Sequence, residues 1–251
     1  GTFSPGTLTT IDLSRFILSD GATFSIPQSL TSYSSSGGMG VSERRTLFSV
    51  DGVGTVLDFS SLQTMSSVFS GLGGLLQLVV ASNGGTIDLT GLTTITGGGS
   101  GANGGGLLEF RVNAGSAINL SSLQTLIGDS AGILLTIAGN MQLGSSEVFV
   151  TRTQITTAPT AVIEGTALRI GSNSQLRGVG TFNADLFNDR EVRNTATASL
   201  SVNGNYEQIS GATLSLGLNS GNPIDGVLNV SDAATLSGTL NIVIADAFQP
   251  Q

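Results

Sequence analysis

The residues best placed to do chemistry are carboxylates at one repeated position. Asp12, Asp58 and Asp88 each stand between two large apolar residues, and Asn119 takes the same place in Ile118-Asn119-Leu120. Two carboxylates held close together can cleave a glycosidic bond, one as acid and the other as base or nucleophile. The same oxygens could hold calcium or a sugar. In a strand reading Leu57-Asp58-Phe59, the apolar pair faces one way and the Asp the other. If such strands stack as neighbours, Asp58 and Asp88 stand about 5 Å apart, where like charges repel. The expectation is a solvated column, each Asp hydrogen-bonded to nearby Ser, Thr or backbone. No catalytic, cofactor-binding or metal residue is assigned, and calcium is the only cofactor the column would suit.

Two further groups invite the same question. Asp185, Asn188, Asp189, Arg190, Glu191 and Arg193 offer oxygen ligands for calcium but lack the glycine-containing spacing of a calcium loop. Their alternating signs read as a solvated turn with local ion pairs, each worth little. Arg44 and Arg45 beside Glu43 read as a loop anchor. Thr64, Thr94 and Thr125 share a repeat position, and threonine arrays on stacked strands can bind ice. Such faces need Thr-x-Thr in turn after turn, and here Thr151-Arg152-Thr153 and isolated pairs alone supply it.

What is missing restricts chemistry further. The chain has no His and no Cys, and all nine basic residues are Arg. That removes Ser-His-Asp triads, cysteine nucleophiles, Ser-Lys dyads and lysine Schiff bases. Zinc sites built on His or Cys are excluded as well.

The elements that position these residues repeat. Leu57-Asp-Phe-Ser-Ser-Leu-Gln-Thr-Met65, Ile87-Asp-Leu-Thr-Gly-Leu-Thr-Thr-Ile95 and Ile118-Asn-Leu-Ser-Ser-Leu-Gln-Thr-Leu126 start 30 and 31 residues apart (87 − 57; 118 − 87). A fixed period of this length signals a stacked-repeat fold. Before each copy runs an alternating apolar phrase, as in Thr46–Val50, Leu75–Val80 and Leu107–Val112, and Leu134–Ala138 continues the series. Period-two alternation marks strands with one buried face. Gly and Asn follow at 51–52, 83–85, 113–115 and 139–140, where tight corners demand φ > 0. One repeat is thus about three short strands and their corners. A weaker copy at Thr9–Phe16 lies 46 residues before the next (58 − 12), which predicts an insertion over Ser19–Arg45. The glycine-rich 97–106 reads as a surface loop, since no Gly-Lys-Ser/Thr follows.

Beyond about Thr151 the period shortens. Ala167-Leu-Arg-Ile170, Ser199-Leu-Ser-Val202, Thr213-Leu-Ser-Leu216 and Thr239-Leu-Asn-Ile242 recur as small, Leu, polar, aliphatic. The runs Gly178–Asn188, Leu200–Leu214 and Val227–Ile242 resemble the passenger repeats of bacterial autotransporters and related large secreted surface proteins. That resemblance covers roughly the last third of the chain. It implies a right-handed parallel β-helix, secreted or displayed on a bacterial cell surface, often adhesive or structural. Leucine-rich repeats compete through Leu120–Leu126, but their Asn ladder and helix formers are missing.

Composition bounds the partners. Only 10% of residues are charged, 39% are hydrophobic, 36 are Gly, and the net charge is −8. An acidic chain is unsuited to nucleic acid or to anionic lipid. No apolar run of about 18 residues is present to cross a membrane as a helix. The ends, Gly-Thr-Phe-Ser-Pro and Phe-Gln-Pro-Gln, are read as those of a segment of a longer protein.

The expected fold is all-β: a single right-handed parallel β-helix, or β-solenoid, of about eight to ten coils. It forms one domain over 1–251, with wider coils of about 30 residues over 1–150 and shorter, irregular coils over 151–251. Expected core positions are Leu57, Phe59, Leu62, Ile87, Leu89, Leu92, Ile118, Leu120 and Leu123. The expected function is a non-enzymatic extracellular or cell-surface structural or adhesive rod. Its specificity would lie in loops at 32–40, 97–106 and 219–225, and its partners would be host or matrix glycans and surfaces. It would also pair with itself end to end, since solenoid ends expose strand edges. The alternatives are a polysaccharide lyase or glycosidase, weakened by 5% aromatics and no Trp, and an ice-binding protein.

Overall fold

The computed structural model describes residues 2–3, 8–35, 44–68, 76–99, 106–129, 132–194, 198–218 and 226–244. Among them every regular element is a strand and every strand pairing is parallel. Strand β1 (Thr2–Phe3) comes first. Layers of three strands follow: β2 (Phe16–Ser19), β3 (Thr23–Ser25) and β4 (Ser32–Ser34); then β5 (Arg44–Asp51), β6 (Val56–Asp58) and β7 (Thr64–Val68). Next come β8 (Leu76–Ser82), β9 (Thr86–Asp88) and β10 (Thr94–Gly98), then β11 (Leu107–Val112), β12 (Ala117–Asn119) and β13 (Thr125–Gly128). The series continues with β14 (Ile133–Ile137), β15 (Asn140–Gln142) and β16 (Glu147–Thr151).

Two layers then merge their second and third strands into one: β17 (Thr153–Thr157) with β18 (Val162–Ile170), and β19 (Gln175–Gly178) with β20 (Gly180–Asn188). Separate strands return in β21 (Glu191–Asn194), β22 (Leu200–Val202) and β23 (Tyr206–Gln208), then β24 (Thr213–Leu218), β25 (Leu228–Val230) and β26 (Ala234–Leu236). The last is β27 (Thr239–Ile244). The first strands of all layers make one ten-stranded sheet from β2 to β27. The second and third strands form two columns that β18 and β20 join into a seventeen-stranded sheet.

Strand alternation builds the core. Leu57, Ile87, Ile118, Met141, Ile163, Phe182 and Val202 are successive partners in the second column, each at most 1% exposed. All nine expected core positions are buried. Burying one such side chain is worth about 1.5–3 kcal/mol, and only the layers above and below can bury it. At the amino-terminal end the fill is aromatic. Phe16, Phe48 and Phe59 stack edge-on or tilted at 4.8–6.1 Å, with Tyr33 at 4.8 Å from Phe48.

The step between layers is not constant. Phe16 pairs with Phe48 and Leu76 with Leu107, steps of 32 and 31 residues (48 − 16; 107 − 76). Glu109 to Leu134 is 25 (134 − 109), Leu134 to Gln154 is 20 (154 − 134), and Leu176 to Val192 is 16 (192 − 176). The corners after β5 and β8 use φ > 0 at Gly52, Gly54, Asn83 and Gly84, as the turn residues predict.

Three sequence expectations are corrected. Residues 19–35 hold no insertion between repeats, because β3 and β4 are ordinary strands of the first layer, pairing with β6 and β7; residues 36–43 lie outside the described residues. Asp12 therefore does not precede Asp58 in its column. Ser25 does, while Asp12 lies against Ser34, its carboxylate accepting from the Ser34 N–H at 2.7 Å. The short phrase of the second half is not a register mark either. Of its four copies only Thr213–Leu216 and Thr239–Ile242 are ladder partners; Ala167–Ile170 lies in the third column and Leu200–Val202 in the second. A strand's local pattern repeats wherever one face is buried, so it does not identify the column.

Candidate functional site

The Asp column is real from Asp58 onward, and its geometry is that of a corner. Asp58 pairs with Asp88, and Asp88 with Asn119. Asp58 Oδ1 accepts from Ser60 N–H at 3.1 Å and Ser60 Oγ at 2.6 Å, while Oδ2 accepts from Ser25 Oγ at 3.1 Å. Asp88 accepts from Thr90 N–H at 2.9 Å and Asn119 from Ser121 N–H at 3.1 Å. Each closes the same Asx turn onto the amide two residues on. Partial burial opposes ionisation of Asp58, but the bonds from Ser60 and Ser25 outweigh it and hold its carboxyl below the usual range. The carboxylates serve their corners and do not converge on a shared substrate position.

The threonine column is three residues long. Thr94 and Thr125 touch at 3.3 Å through their hydroxyls, and Thr64 pairs with Thr94. Ser32 precedes it and Phe149 follows. Arg44 and Arg45 open strand β5, and Glu43 lies outside the described residues. Of the three expected specificity loops, Ser32–Ser34 is strand β4, Gly97 and Gly98 end β10, and Gly99 N–H donates to Gly106 O at 2.8 Å. Residues 36–40, 100–105 and 219–225 lie outside the described residues.

The second cluster splits between three jobs. Asp185 accepts from the Asn205 amide at 2.7 Å and pins the next layer's turn. Asn188 is fully buried, and its Nδ2 donates to Tyr206 Oη and to Thr213 O, both at 3.0 Å. Asp189 pairs with Arg169 at 3.0 Å, and Arg169 also grips Glu147 at 2.8 Å and lies 4.5 Å from the Phe187 ring. The ion pairs therefore run between layers and not within the turn, because stacking brings residues about 20 positions apart into contact. Arg190, Glu191 and Arg193 are left over.

Those three line a groove that sequence reasoning missed. It runs along the corner where the third column turns into the first. Three concavities of about 450, 650 and 450 Å³ meet there, and Asn173 lines all of them. Arg152 and Gln154 line the stretch before Asn173's layer, Gln175 lies in that layer, and Arg190, Glu191 and Arg193 line the stretch after it. Leu107, Ile133, Leu134, Phe149 and Ile209 supply apolar walls. Arg152 (φ 48°) and Asn173 (φ 57°) turn these corners in the left-handed region, a conformation that costs a non-glycine residue about 1 kcal/mol or more. The available signal was an Arg directly after strand β16 and an Asn in the Gly171-Ser172-Asn173 turn after β18.

The groove is polar and locally cationic. Among the described residues, the side chains of Arg152, Gln154, Asn173, Gln175, Arg190 and Arg193 have no hydrogen-bond or ion-pair partner. Of the two lining carboxylates, Asp189 is engaged by Arg169. No three His, Cys, Asp or Glu residues come together as a metal site among the described residues. The arrangement can hold a flexible polar ligand by hydrogen bonds and charge.

Comparison with family models, with curated proteins and with solved structures yields no match to this chain.

Proposed function

We propose that the chain is a single right-handed parallel β-helix of about ten turns, serving as a non-enzymatic structural or adhesive rod outside the cell. The observation that carries this reading is the unbroken ten-stranded parallel ladder from β2 to β27, flanked throughout by the two other columns. Parallel strands joined by crossovers are right-handed in about 98% of cases. At about 4.8 Å per layer, ten layers extend roughly 45 Å. The low charge, the resemblance of the repeat phrases to those of secreted surface proteins and the hydrogen-bonded Asp corners support a scaffold over a catalyst.

Self-association follows from the ends. Among the described residues β2 pairs with β5 and β27 with β24, and neither takes a second partner in the ten-stranded sheet. Over β27 the inward residues lie open: Leu240 is 55% and Ile244 57% exposed, whereas Leu214, the partner of Leu240, is 2% exposed. A second copy laid on this edge would continue both the ladder and the core, in a head-to-tail contact that does not close.

Small-angle scattering tests the rod: an elongated particle with a constant cross-section is expected, and a compact sphere overturns it. Light scattering over a concentration series tests the assembly. Growth that Leu240→Arg/Ile242→Arg abolishes supports it; a concentration-independent monomer sinks it.

A further inference from the structure

The groove carries a more specific reading, which rests on taking this corner as the rod's adhesive face. We infer that it binds an acidic polysaccharide, with Arg152, Arg177, Arg190 and Arg193 taking its carboxylates and Gln154, Asn173 and Gln175 its hydroxyls.

The decisive relationship is between Arg177 and Arg193. They are direct ladder partners on β19 and β21, both pointing away from the core. Like charges directly opposite each other on adjacent strands destabilise the pair. Among the described residues neither guanidinium has a carboxylate partner, and Glu191 bonds to neither. Two other arginines of the molecule are ion-paired: Arg111 binds Glu109 at 2.8 Å and Arg169 binds both Glu147 and Asp189. The fold thus holds two adjacent uncompensated guanidiniums beside a groove that two more arginines line, in a chain whose net charge is −8. An anionic ligand relieves that repulsion, and a guanidinium grips a carboxylate with two parallel bonds.

Spacing selects the ligand. Arg152 and Arg190 occupy the same corner two layers apart, about 10 Å along the rod, with the neutral Asn173 between them. Duplex DNA carries a charge roughly every 1.7 Å and demands a continuous basic face, which a chain of this net charge does not offer. A polysaccharide with one carboxylate on alternate sugars places an anion, then hydroxyls, then an anion. Arg, Asn and Arg present the matching order of donors. The absence of Trp removes sugar stacking, so affinity must come from the guanidiniums and fall with salt.

The test is calorimetry with hyaluronan oligosaccharides as the acidic probe, neutral dextran oligosaccharides of similar length as the control, and oligodeoxynucleotide as the rival polyanion. Expected are binding of the acidic sugar alone, weakened by added salt, and a loss of at least tenfold in Arg177→Gln/Arg193→Gln. Arg15→Gln, at the far end of the rod, should bind as wild type. These side chains lie at the surface, so the double variant folds, and its melting temperature should rise slightly as the repulsion goes. No binding to the acidic sugar at millimolar concentration, equal binding to dextran, tighter binding to the oligonucleotide, or binding unchanged in the double variant each overturns the inference. Scattering on the same samples reports the rod separately, so failure of sugar binding and failure of the rod are told apart.

Discussion

Asp58 and Asp88 are ladder partners on β6 and β9, yet each turns its carboxylate onto its own corner, Asp58 to Ser60 and Asp88 to the Thr90 amide. Asn119 makes the same turn without a charge. Asp58→Asn/Asp88→Asn should therefore fold, with a change of about 1 kcal/mol or less in urea denaturation, and calcium titration should detect no submillimolar site in either protein.

Asp58 also sets a pH dependence. Its folded carboxyl titrates below the unfolded one, so its contribution is present above about pH 4 and is lost as pH falls through the folded value. Melting temperatures followed from pH 5 to pH 2.5 should drop less steeply in Asp58→Asn than in wild type.

Tyr206 sets the opposite limit. Burial pushes its phenol up to about 12, against a hydrogen bond from Asn188 that lowers it. A raised folded value means stability is full below about pH 10 and is lost between there and pH 12, where the unfolded chain ionises more readily. The loss reaches roughly 2–3 kcal/mol. Tyr206→Phe should be less stable at pH 7, because Gln208 Oε1 loses its donor, yet show a flatter decline above pH 10 in denaturant titrations.

Gly91 occupies the repeat position that Ser61 and Ser122 fill in the neighbouring copies. Repeat logic would favour Ser there. A Cβ at Gly91 would stand 2.2 Å from Ser60 O and 2.7 Å from Leu62 O, whereas Ser61 has room to donate to Leu30 O at 2.9 Å. Gly91→Ser should destabilise by about 1–3 kcal/mol, seen as a lower melting temperature; an increase would contradict the packing of this corner.

Glu109 is nearly enclosed, its side chain 3% exposed, and it depends on Arg111 and on the Thr136 hydroxyl at 2.8 Å. Arg111→Ala leaves a buried carboxylate with one neutral donor and should cost about 3 kcal/mol. Glu109→Gln/Arg111→Ala should recover part of that loss in the same denaturation assay.

How far the sequence carried depended on whether a feature was local. The Leu57-Asp58-Phe59 alternation, the glycine and asparagine corners and the three equivalent copies placed the core residues and the first-half columns correctly, because facing within a strand follows from period two alone. The expected insertion is absent over 19–35 because Asp12 imitates the repeat text while lying in a different column. Of the four phrases of the second half, Thr213–Leu216 and Thr239–Ile242 are ladder partners, while the other two lie in different columns.

The sequence by itself determined which residues point inward, that strands stack with their own kind, and that His, Cys and Lys chemistry is absent. Tertiary structure decided which residues meet across layers. Arg177 opposes Arg193, Arg169 reaches Glu147 and Asp189, and Arg152, Asn173 and Arg190 share one corner. The physical reason is that the number of residues per layer drifts from 32 (48 − 16) to 16 (192 − 176) as corners lengthen and shorten. Neighbours in space are set by the accumulated length of those corners, and no single stretch of sequence contains that sum.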